Sequence, residues 1–528
     1  MTIALTAGRV RMSRTPVALL AAAIVVTAAV LLPPAYLLWR AAGSDAIVDT
    51  LTDSSTLKAL WRTVLLTATV TAACIALAVP LAWLTGRTDL PLQRMWTVVL
   101  ALPLAVPSFV GGFVMVSALG PGGLVQDALE PLGVQKLPSV YGFRGAWFVL
   151  VMFSYPYIFL QVRALLGRID SSMEEASRSL GKSAWQTFWR VNLPQMRPSI
   201  AAGALLVALY VVSEFGAVSM LRYDTLTPLV YIQYTTSFDR ASAAVLGLPL
   251  ITLAVLILGL EGMTRGRARY HARGQQRPPR LMALGRWRWP AFGFCLLVAM
   301  LGIGLPVAVI VYWLVDGLNA EGTTGFVLEA AVNSARASAM AAVAAALACL
   351  PVAYLSARYP SWTSGLLEKA SYAGQALPAI TIALALVFFA AHYLAGLYQT
   401  IWVLVFAYAV RFLPEAMGAI RASLLQVNPN TEEAARSLGA GPLRTFFRVT
   451  APQTFPGLSA GMLLVFLTAM KELPITIRLA PVGFDTLATE IWGATSEAFF
   501  TRAALPSLIL LLISACAVLL MLRRERLT

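Results

Sequence analysis

The sequence carries one polar segment twice. Segment 1, "EEASRSLGKSAWQTFWRVNLP", runs from Glu174 to Pro194, and segment 2, "EEAARSLGAGPLRTFFRVTAP", runs from Glu432 to Pro452. In each segment the acidic residues come first and an arginine follows one helical turn later, an order that the helix dipole and side-chain pairing both favour. A glycine then interrupts the pattern, and an aromatic stretch leads to a proline. Each segment is therefore predicted to be a short helix, a glycine bend and a second helix.

Further matches show that the repeat is longer than these segments. Upstream, "PLAWLTGR", which ends at Arg87, matches "PVAYLSAR", which ends at Arg358. Downstream, Glu214 matches Glu472. Internal repeats are common in membrane transporters, where the solute pathway lies between the repeats. We predict two similar halves that run in the same sense.

The boundary between the halves follows from the local composition. Residues 265–289 are polar and rich in arginine, which is typical of a cytoplasmic linker. Residues 1–264 then form the first half, with segment 1 at 174–194. Residues 290–528 form the second half, with segment 2 at 432–452.

The composition of the chain indicates a membrane protein. Of its 528 residues, 59% are hydrophobic and only 12% are charged, whereas soluble domains carry about 25% charged residues. A membrane helix needs roughly 20 apolar residues, and no stretch alternates like the strand of a membrane barrel. The predicted fold class is all-α, with about twelve transmembrane helices in two six-helix halves. They are expected near Val17–Trp39, Leu60–Leu84, Trp96–Leu119, Ala146–Val162, Ile200–Met220, Ala243–Met263, Pro290–Leu314, Ala330–Leu355, Ser371–Leu394, Ile401–Met417, Leu458–Thr476 and Ala503–Leu522.

The net charge of +15 indicates orientation rather than nucleic-acid binding. Lysine and arginine concentrate in alternate loops, as the positive-inside rule describes. This predicts that the N-terminus, the C-terminus and both segments are cytoplasmic, and that the basic surface attracts anionic lipid. The first apolar run, Val17–Trp39, is longer than the core of a signal peptide, so we expect it to stay as a spanning helix.

Both segments resemble the EAA signature of bacterial ABC importer permeases. The signature combines E-A-A, a glycine and a final L-P at fixed spacing. Segment 1 has "EAS", Gly181 and "LP" ending at Pro194, and segment 2 has "EAA", Gly439 and "AP" ending at Pro452. The departures from the signature are conservative. The resemblance covers nearly the whole chain and implies two MetI-like permease halves in a bacterial inner membrane.

The resemblance also implies partners. In that family the segment is the coupling helix, which fits a groove in a separate ATP-hydrolysing subunit. We therefore expect a dimer of cytoplasmic ATP-binding subunits and an extracytoplasmic solute-binding protein as partners. The chain itself is expected to be a transport subunit rather than an enzyme, with no bound cofactor, since its "GKS" lacks the earlier glycine and the strand of a phosphate-binding loop. The residues expected to couple to the ATPase are Glu174, Glu175, Ala176, Gly181, Pro194, Glu432, Glu433, Ala434, Gly439 and Pro452.

The solute is less clearly indicated by the sequence. The stretches after the two segments resemble those of ferric-iron importer permeases with fused halves, and thiamine permeases with the same layout are the alternative. Ferric ion is a hard cation that prefers oxygen ligands, and carboxylates within a membrane often mark a pathway. Candidates for the pathway, or for docking of the binding protein, are Glu214, Tyr223, Asp224, Glu472 and Asp485. The alternative is that the two glutamates cap helices or pair with Arg222 and Lys471, and no metal site is assigned.

Two other classes of protein stay open on this basis. A secondary transporter driven by an ion gradient would also have about twelve helices, but it would not need two matched cytoplasmic segments. A membrane enzyme would need a nucleophile–base pair or a metal cluster at one membrane depth, and the sequence shows no such set. The four cysteines are scattered and are expected to pack as small apolar residues.

Overall fold

The computed structural model describes residues 16–45, 47–133, 136–167, 172–235, 240–264, 281–318 and 325–525. Up to residue 264 its α-helices are Val17–Ala42, Ile47–Thr52, Ser54–Arg87, Gln93–Val99, Ser108–Leu119, Leu124–Leu129, Phe143–Leu166, Ser172–Ser179, Ala184–Thr187, Leu193–Ser213, Gly216–Met220, Leu226–Thr235 and Arg240–Thr264. From residue 281 they are Arg288–Ala299, Leu305–Leu318, Gly325–Arg358, Trp362–Ser371, Ala373–Ala376, Ala379–Tyr393, Ile401–Gln426, Pro429–Ser437, Pro442–Thr445, Ala451–Met470, Pro474–Leu479, Leu487–Ser496 and Phe500–Glu525. Short 3-10 turns lie at Leu102–Ala105, Glu130–Leu132 and Gly285–Trp287, and π-helical turns lie at Phe188–Asn192, Met300–Gly304 and Phe446–Thr450.

The length and apolar character of these helices confirm the predicted all-α membrane fold. Within the described residues, 11 helical stretches are long and apolar enough to cross a membrane, and Ala379–Tyr393 is a shorter apolar helix. Large apolar side chains on the outer helix faces are exposed, among them Val17, Trp61 and Trp402. Such a surface is stable against lipid rather than against water.

Proline interrupts one of the expected spans. The stretch Trp96–Leu119 was expected to be a single helix. In the structure, helix Gln93–Val99 ends at Val99, and a new helix begins at Ser108. Pro103 and Pro107 lie between them. Proline has no backbone N–H and disfavours helical geometry at the preceding residue, so the chain turns before it enters the membrane helix.

A second expected span is shortened in the same way. The stretch Ser371–Leu394 contains Pro378, and the helix after this proline, Ala379–Tyr393, has 15 residues. At about 1.5 Å per residue it is shorter than the hydrocarbon core of roughly 30 Å.

The described residues pack into two compact units. The larger unit takes the described parts of Leu37–Ser334, Ala376–Ala385 and Met470–Thr528, and the smaller takes those of Met1–Tyr36, Ala335–Gln375 and Leu386–Ala469. The division into halves 1–264 and 290–528 concerns the sequence repeat and stays a prediction. Three predicted regions lie partly or wholly outside the described residues: the linker over residues 265–280, the N-terminus over 1–15 and the C-terminus over 526–528.

The larger unit is built from residues of both predicted halves. Helix Ser54–Arg87 packs against Phe143–Leu166 and Leu193–Ser213. In the same unit, helix Phe500–Glu525 packs against Leu305–Leu318, and the ring of Phe500 contacts that of Phe113 at 5.7 Å. Helices near the end of the chain therefore complete a core begun by the first half.

One close helix contact recurs at equivalent positions of the repeat. In the larger unit a Cβ on Gly203 would lie 2.7 Å from the Cα of Ile158, and in the smaller unit a Cβ on Gly461 would lie 3.1 Å from the Cα of Ala416. Small residues allow membrane helices to approach closely. Each pair fixes a segment's outgoing helix against the helix that precedes the segment.

Candidate coupling site

Segment 1 has the predicted course of helix, bend and helix. Its first helix is Ser172–Ser179, the bend lies at Gly181, and the second helix is Ala184–Thr187. This second helix passes through a π-helical turn, Phe188–Asn192, into the membrane helix Leu193–Ser213.

Segment 2 repeats that course at the equivalent positions. Helix Pro429–Ser437 is followed by the bend at Gly439 and by helix Pro442–Thr445. A π-helical turn, Phe446–Thr450, again leads into the membrane helix, Ala451–Met470. Because even the π-helical turn recurs, we treat the two segments as copies of one structural element.

The bend needs glycine in both copies. Gly181 has a φ of +78° and Gly439 a φ of +85°. Their N–H groups donate to the carbonyl oxygens of Arg178 and Arg436, each at 2.9 Å. Glycine adopts this left-handed conformation without a steric penalty and closes the C-terminus of the helix.

Glu432 is buried against the membrane helices. Its side chain is 4% exposed, and Oε1 accepts hydrogen bonds from Arg358 Nε at 3.1 Å, Arg358 Nη2 at 2.9 Å and Thr450 Oγ1 at 2.9 Å. The hydroxyl of Tyr354 donates to Oε2 at 3.3 Å. A buried carboxylate is stable when it is paired and hydrogen-bonded. Since Arg358 ends the helix Gly325–Arg358, the pair fastens segment 2 to a membrane helix.

Glu174 makes the equivalent ion pair in segment 1, but more loosely. Its Oε2 lies 3.5 Å from Nη2 of Arg87, the last residue of helix Ser54–Arg87. Arg178, one turn later, donates to Glu174 Oε1 at 3.0 Å. The guanidinium of Arg87 is 1% exposed, and in the described part of the chain its three nitrogens have no hydrogen-bond partner. The two copies thus share an ion pair and differ in how firmly it is made.

An aromatic contact between the segment and the membrane helix accompanies each ion pair. The rings of Trp83 and Phe188 meet edge to face at 5.0 Å. At the equivalent positions, Tyr354 and Phe446 meet edge to face at 5.6 Å. Such pairs stabilise by about 0.5–1.5 kcal/mol beyond the area they bury. They attach the π-helical turn of each segment to the same membrane helix that carries the arginine.

The opposite side of each segment faces outward. The predicted coupling residues that are exposed are Glu175, Ala176, Gly181, Glu433, Ala434, Gly439 and Pro452, whereas Pro194 is half-buried. Leu180 and Leu438, next to the two glycines, are among the most exposed large apolar residues, at 79% and 89%. Exposed apolar residues beside exposed carboxylates are suited to a protein partner. The paired glutamates therefore divide into an inner one that anchors and an outer one that is free to bind.

The two candidate pathway glutamates, Glu214 and Glu472, make the same kind of hydrogen bond to the backbone. Glu214 is buried, and its Oε1 accepts hydrogen bonds from Ser108 Oγ at 2.8 Å and from the N–H of Ala217 at 2.9 Å. Glu472 is half-buried and accepts from the N–H of Ile475 at 3.3 Å. Both carboxylates thus bond the N–H three residues on, at the start of a short helix.

The remaining candidates are the exposed Asp224 and Asp485 and the buried Tyr223. Asp224 forms an ion pair with Arg62 at 3.1 Å, and the Arg62 guanidinium lies 5.8 Å from the ring centre of Tyr223. Burial raises the pKa of Tyr223, and Arg62 partly offsets this rise, so its phenol is neutral near pH 7. Asp485 is exposed, and its backbone carbonyl accepts from Asn333 Nδ2 at 3.1 Å. Arg62 therefore links Tyr223 and Asp224 into one cluster.

Sequence reasoning did not identify the anchoring residues Arg87 and Arg358. They were visible as the last residues of "PLAWLTGR" and "PVAYLSAR", and Trp83 and Tyr354 occupy one position of the same repeat. A charged residue that closes an apolar span in both copies was the available signal. Its partner was not apparent from the sequence.

Comparison with known proteins places these features in a family. The family described as "Binding-protein-dependent transport system inner membrane component" matches residues 78–270 and 349–526. The chain is 35% identical over 498 residues to the "Fe(3+)-transport system permease protein FbpB 2" of Haemophilus influenzae, covering 93% of this chain and 95% of the relative. It is 26% identical over 406 residues to the "Ferric transport system permease protein FbpB" of Actinobacillus pleuropneumoniae, covering 72% and 58%. It is 28% identical over 256 residues to the "Sulfate transport system permease protein CysW" of Escherichia coli K12, covering 46% and 86%.

The two matched stretches contain segment 1 and segment 2, respectively. Together they account for most of the chain, and the relative from Haemophilus influenzae matches almost end to end. The chain therefore belongs to the family of binding-protein-dependent transport system inner membrane components, as a multi-pass permease subunit that carries the family's domain twice.

Proposed function

We propose that this chain is the permease of an ATP-driven importer of ferric iron. An extracytoplasmic binding protein delivers the solute, and a separate dimer of cytoplasmic ATP-binding subunits supplies the energy. The observation that carries the proposal is the duplicated segment, with one glutamate held inside and the next exposed. Each ATP-binding subunit takes one segment.

The anchored glutamates transmit movement from the ATPase to the membrane helices. When ATP binding closes the ATPase dimer, its surface moves the exposed side of each segment. The ion pairs Arg87–Glu174 and Arg358–Glu432 then pass that displacement to the ends of two membrane helices. A nucleotide shifts the conformation of the permease only if its partner contacts the two states differently, and the segments supply those contacts. The chain itself binds no cofactor and hydrolyses no ATP.

The orientation of the chain follows from the same proposal. The segments and both termini are cytoplasmic, in agreement with the positive-inside distribution of lysine and arginine. Attachment of a membrane-impermeant thiol reagent to a cysteine introduced at Lys182, in spheroplasts against inverted vesicles, tests this. Labelling in spheroplasts would contradict it.

Ferric iron as the solute is supported by the extent of the likeness. The relative named as an Fe(3+)-transport permease matches 93% of the chain, including both halves, whereas the sulfate permease matches 46% of it. Glu214, Tyr223, Asp224, Glu472 and Asp485 offer the oxygen donors that a hard cation prefers. In this proposal they line the pathway or receive the binding protein.

The test is uptake into proteoliposomes that contain the permease, its ATP-binding subunit and its binding protein. Radioactive ferric iron, thiamine and sulfate are supplied in parallel, with and without internal ATP. We expect ATP-dependent uptake of iron alone. Uptake of thiamine or sulfate in place of iron would overturn the assignment of the solute, and iron uptake that persists without the ATP-binding subunit would overturn the importer class.

A further inference from the structure

The C-terminal part of the predicted linker, residues 281–284, is bonded directly to the anchor of segment 1. The N–H of Met282 donates to the carbonyl oxygen of Arg87 at 2.8 Å, and the N–H of Asp89 donates to the carbonyl oxygen of Met282 at 3.0 Å. Thr88 and Met282 form an isolated parallel bridge. The N–H of Leu284 donates to Asp89 Oδ1 at 2.7 Å.

This contact is well enclosed for the end of a linker. Arg87 and Thr88 are each 1% exposed, and Asp89 is half-buried. A few residues on, Trp96 is buried and meets the ring of Phe292 edge to face at 5.1 Å. Three backbone or backbone–carboxylate hydrogen bonds thus hold the linker end against a buried part of helix Ser54–Arg87 and the residues that follow it.

Segment 2 is anchored to its membrane helix by different contacts. There the guanidinium of Arg358 is itself hydrogen-bonded, to Glu432 and to the carbonyl oxygen of Val427 at 3.1 Å. The chain then turns at Pro360 into a helix capped by Ser361, whose hydroxyl accepts from the N–H of Ser364 at 3.1 Å. Segment 2 is thus anchored by side chains, whereas the guanidinium of Arg87 has no such hydrogen bonds among the described residues.

We propose that residues 282–284 are a clamp that positions segment 1, by holding the backbone around Arg87 where its side chain meets Glu174. Met282, Leu284 and Asp89 are positioning residues. Fusion of the two halves into one chain therefore contributes to the first coupling site, which is assembled from a membrane helix, segment 1 and the end of the linker between the halves. The importance of this for transport rests on the proposed function.

The test is hydrogen exchange of the full chain in lipid nanodiscs, without nucleotide or ATPase, so that its outcome does not depend on the proposed function. Asp89→Leu removes the acceptor for Leu284, whereas Asp89→Asn keeps an acceptor oxygen at the same place. We expect Asp89→Leu to speed exchange about fivefold or more in residues 281–287 and also in residues 172–181. Residues 430–439 of the second copy should exchange as before, and Asp89→Asn should resemble the wild type.

A second variant covers the case that Asp89→Leu does not fold. Leu284 has a φ of −77°, which proline adopts, so Leu284→Pro removes the N–H donor with little other change. It should loosen the same two stretches, and Leu281→Ala, at an exposed neighbour, should not. Faster exchange in residues 281–287 with unchanged exchange in residues 172–181, in either variant, would overturn the clamp as a positioning element.

Discussion

Arg358 and Glu432 form a buried ion pair in which both Nε and Nη2 of the arginine donate to one carboxylate oxygen, at 3.1 and 2.9 Å. The arginine ends a membrane helix, and the glutamate lies in the first helix of segment 2. Because the guanidinium is only 10% exposed and the carboxylate only 4% exposed, the two groups stay together as long as the fold is intact. A displacement of the segment therefore displaces the end of the membrane helix.

Removal of one partner should be far more costly than removal of both. Arg358→Met leaves the buried Glu432 with only the more distant Arg436, at 3.9 Å, as a counter-ion, which we expect to destabilise the protein by about 3 kcal/mol. The double variant Arg358→Met with Glu432→Leu leaves no unpaired charge and should recover most of that loss. Unfolding of the purified protein in detergent measures both. Equal losses in the single and double variants would show that the pair does not act as a unit.

The role of the left-handed bend at Gly439 can be tested against a nearby glycine, Gly441, as the control position. A Cβ at Gly439 or at Gly441 meets no atom within 4 Å, but Gly439 has a φ of +85° and Gly441 a φ of −65°. Gly439→Ala should therefore cost roughly 1–2 kcal/mol of backbone strain, and Gly441→Ala should cost almost nothing. Hydrogen exchange of residues 430–439 reports the difference. Equal exchange in the two variants would remove the conformational role of Gly439.

Substitutions of Glu214 separate its two candidate roles. Glu214→Leu leaves the N–H of Ala217 without its carboxylate acceptor in a buried site, which should cost about 1–3 kcal/mol. Glu214→Gln keeps an acceptor and should preserve stability while it removes the charge. If Glu214 lies on the pathway of a ferric solute, the Gln variant lowers iron uptake at unchanged stability. Full uptake by that variant would assign Glu214 to helix capping alone.

The fold was largely predictable from the sequence because its signals are long and repeated. Apolar runs of membrane length, the duplicated segment and its helix–glycine–helix pattern all have counterparts in the structure. The break before Ser108 differs from the predicted single span because Pro103 and Pro107 interrupt a stretch whose hydropathy is otherwise that of a membrane helix.

The candidate site was predictable only in part. Successive residues on a helix point about 100° apart, so Glu174 and Glu175 face different directions, and two identical residue types do not indicate which of them faces inward. Long-range contacts such as Arg87–Glu174 depend on the packing of helices far apart in the chain. The bonds between Met282 and the backbone of Arg87 and Asp89 involve only main-chain atoms, which leave no mark in the sequence.

The most direct test of the account is the solute-stimulated ATPase activity of the reconstituted complex when Glu175→Lys and Glu433→Lys are combined. Both side chains are exposed, so their reversal should leave the unfolding of the permease unchanged. Glu130→Lys makes the same charge change at an exposed site remote from both segments in sequence and should keep full activity. We predict that the double variant loses stimulation and uptake, and a double variant that retains full stimulation would contradict the role of the segments in coupling.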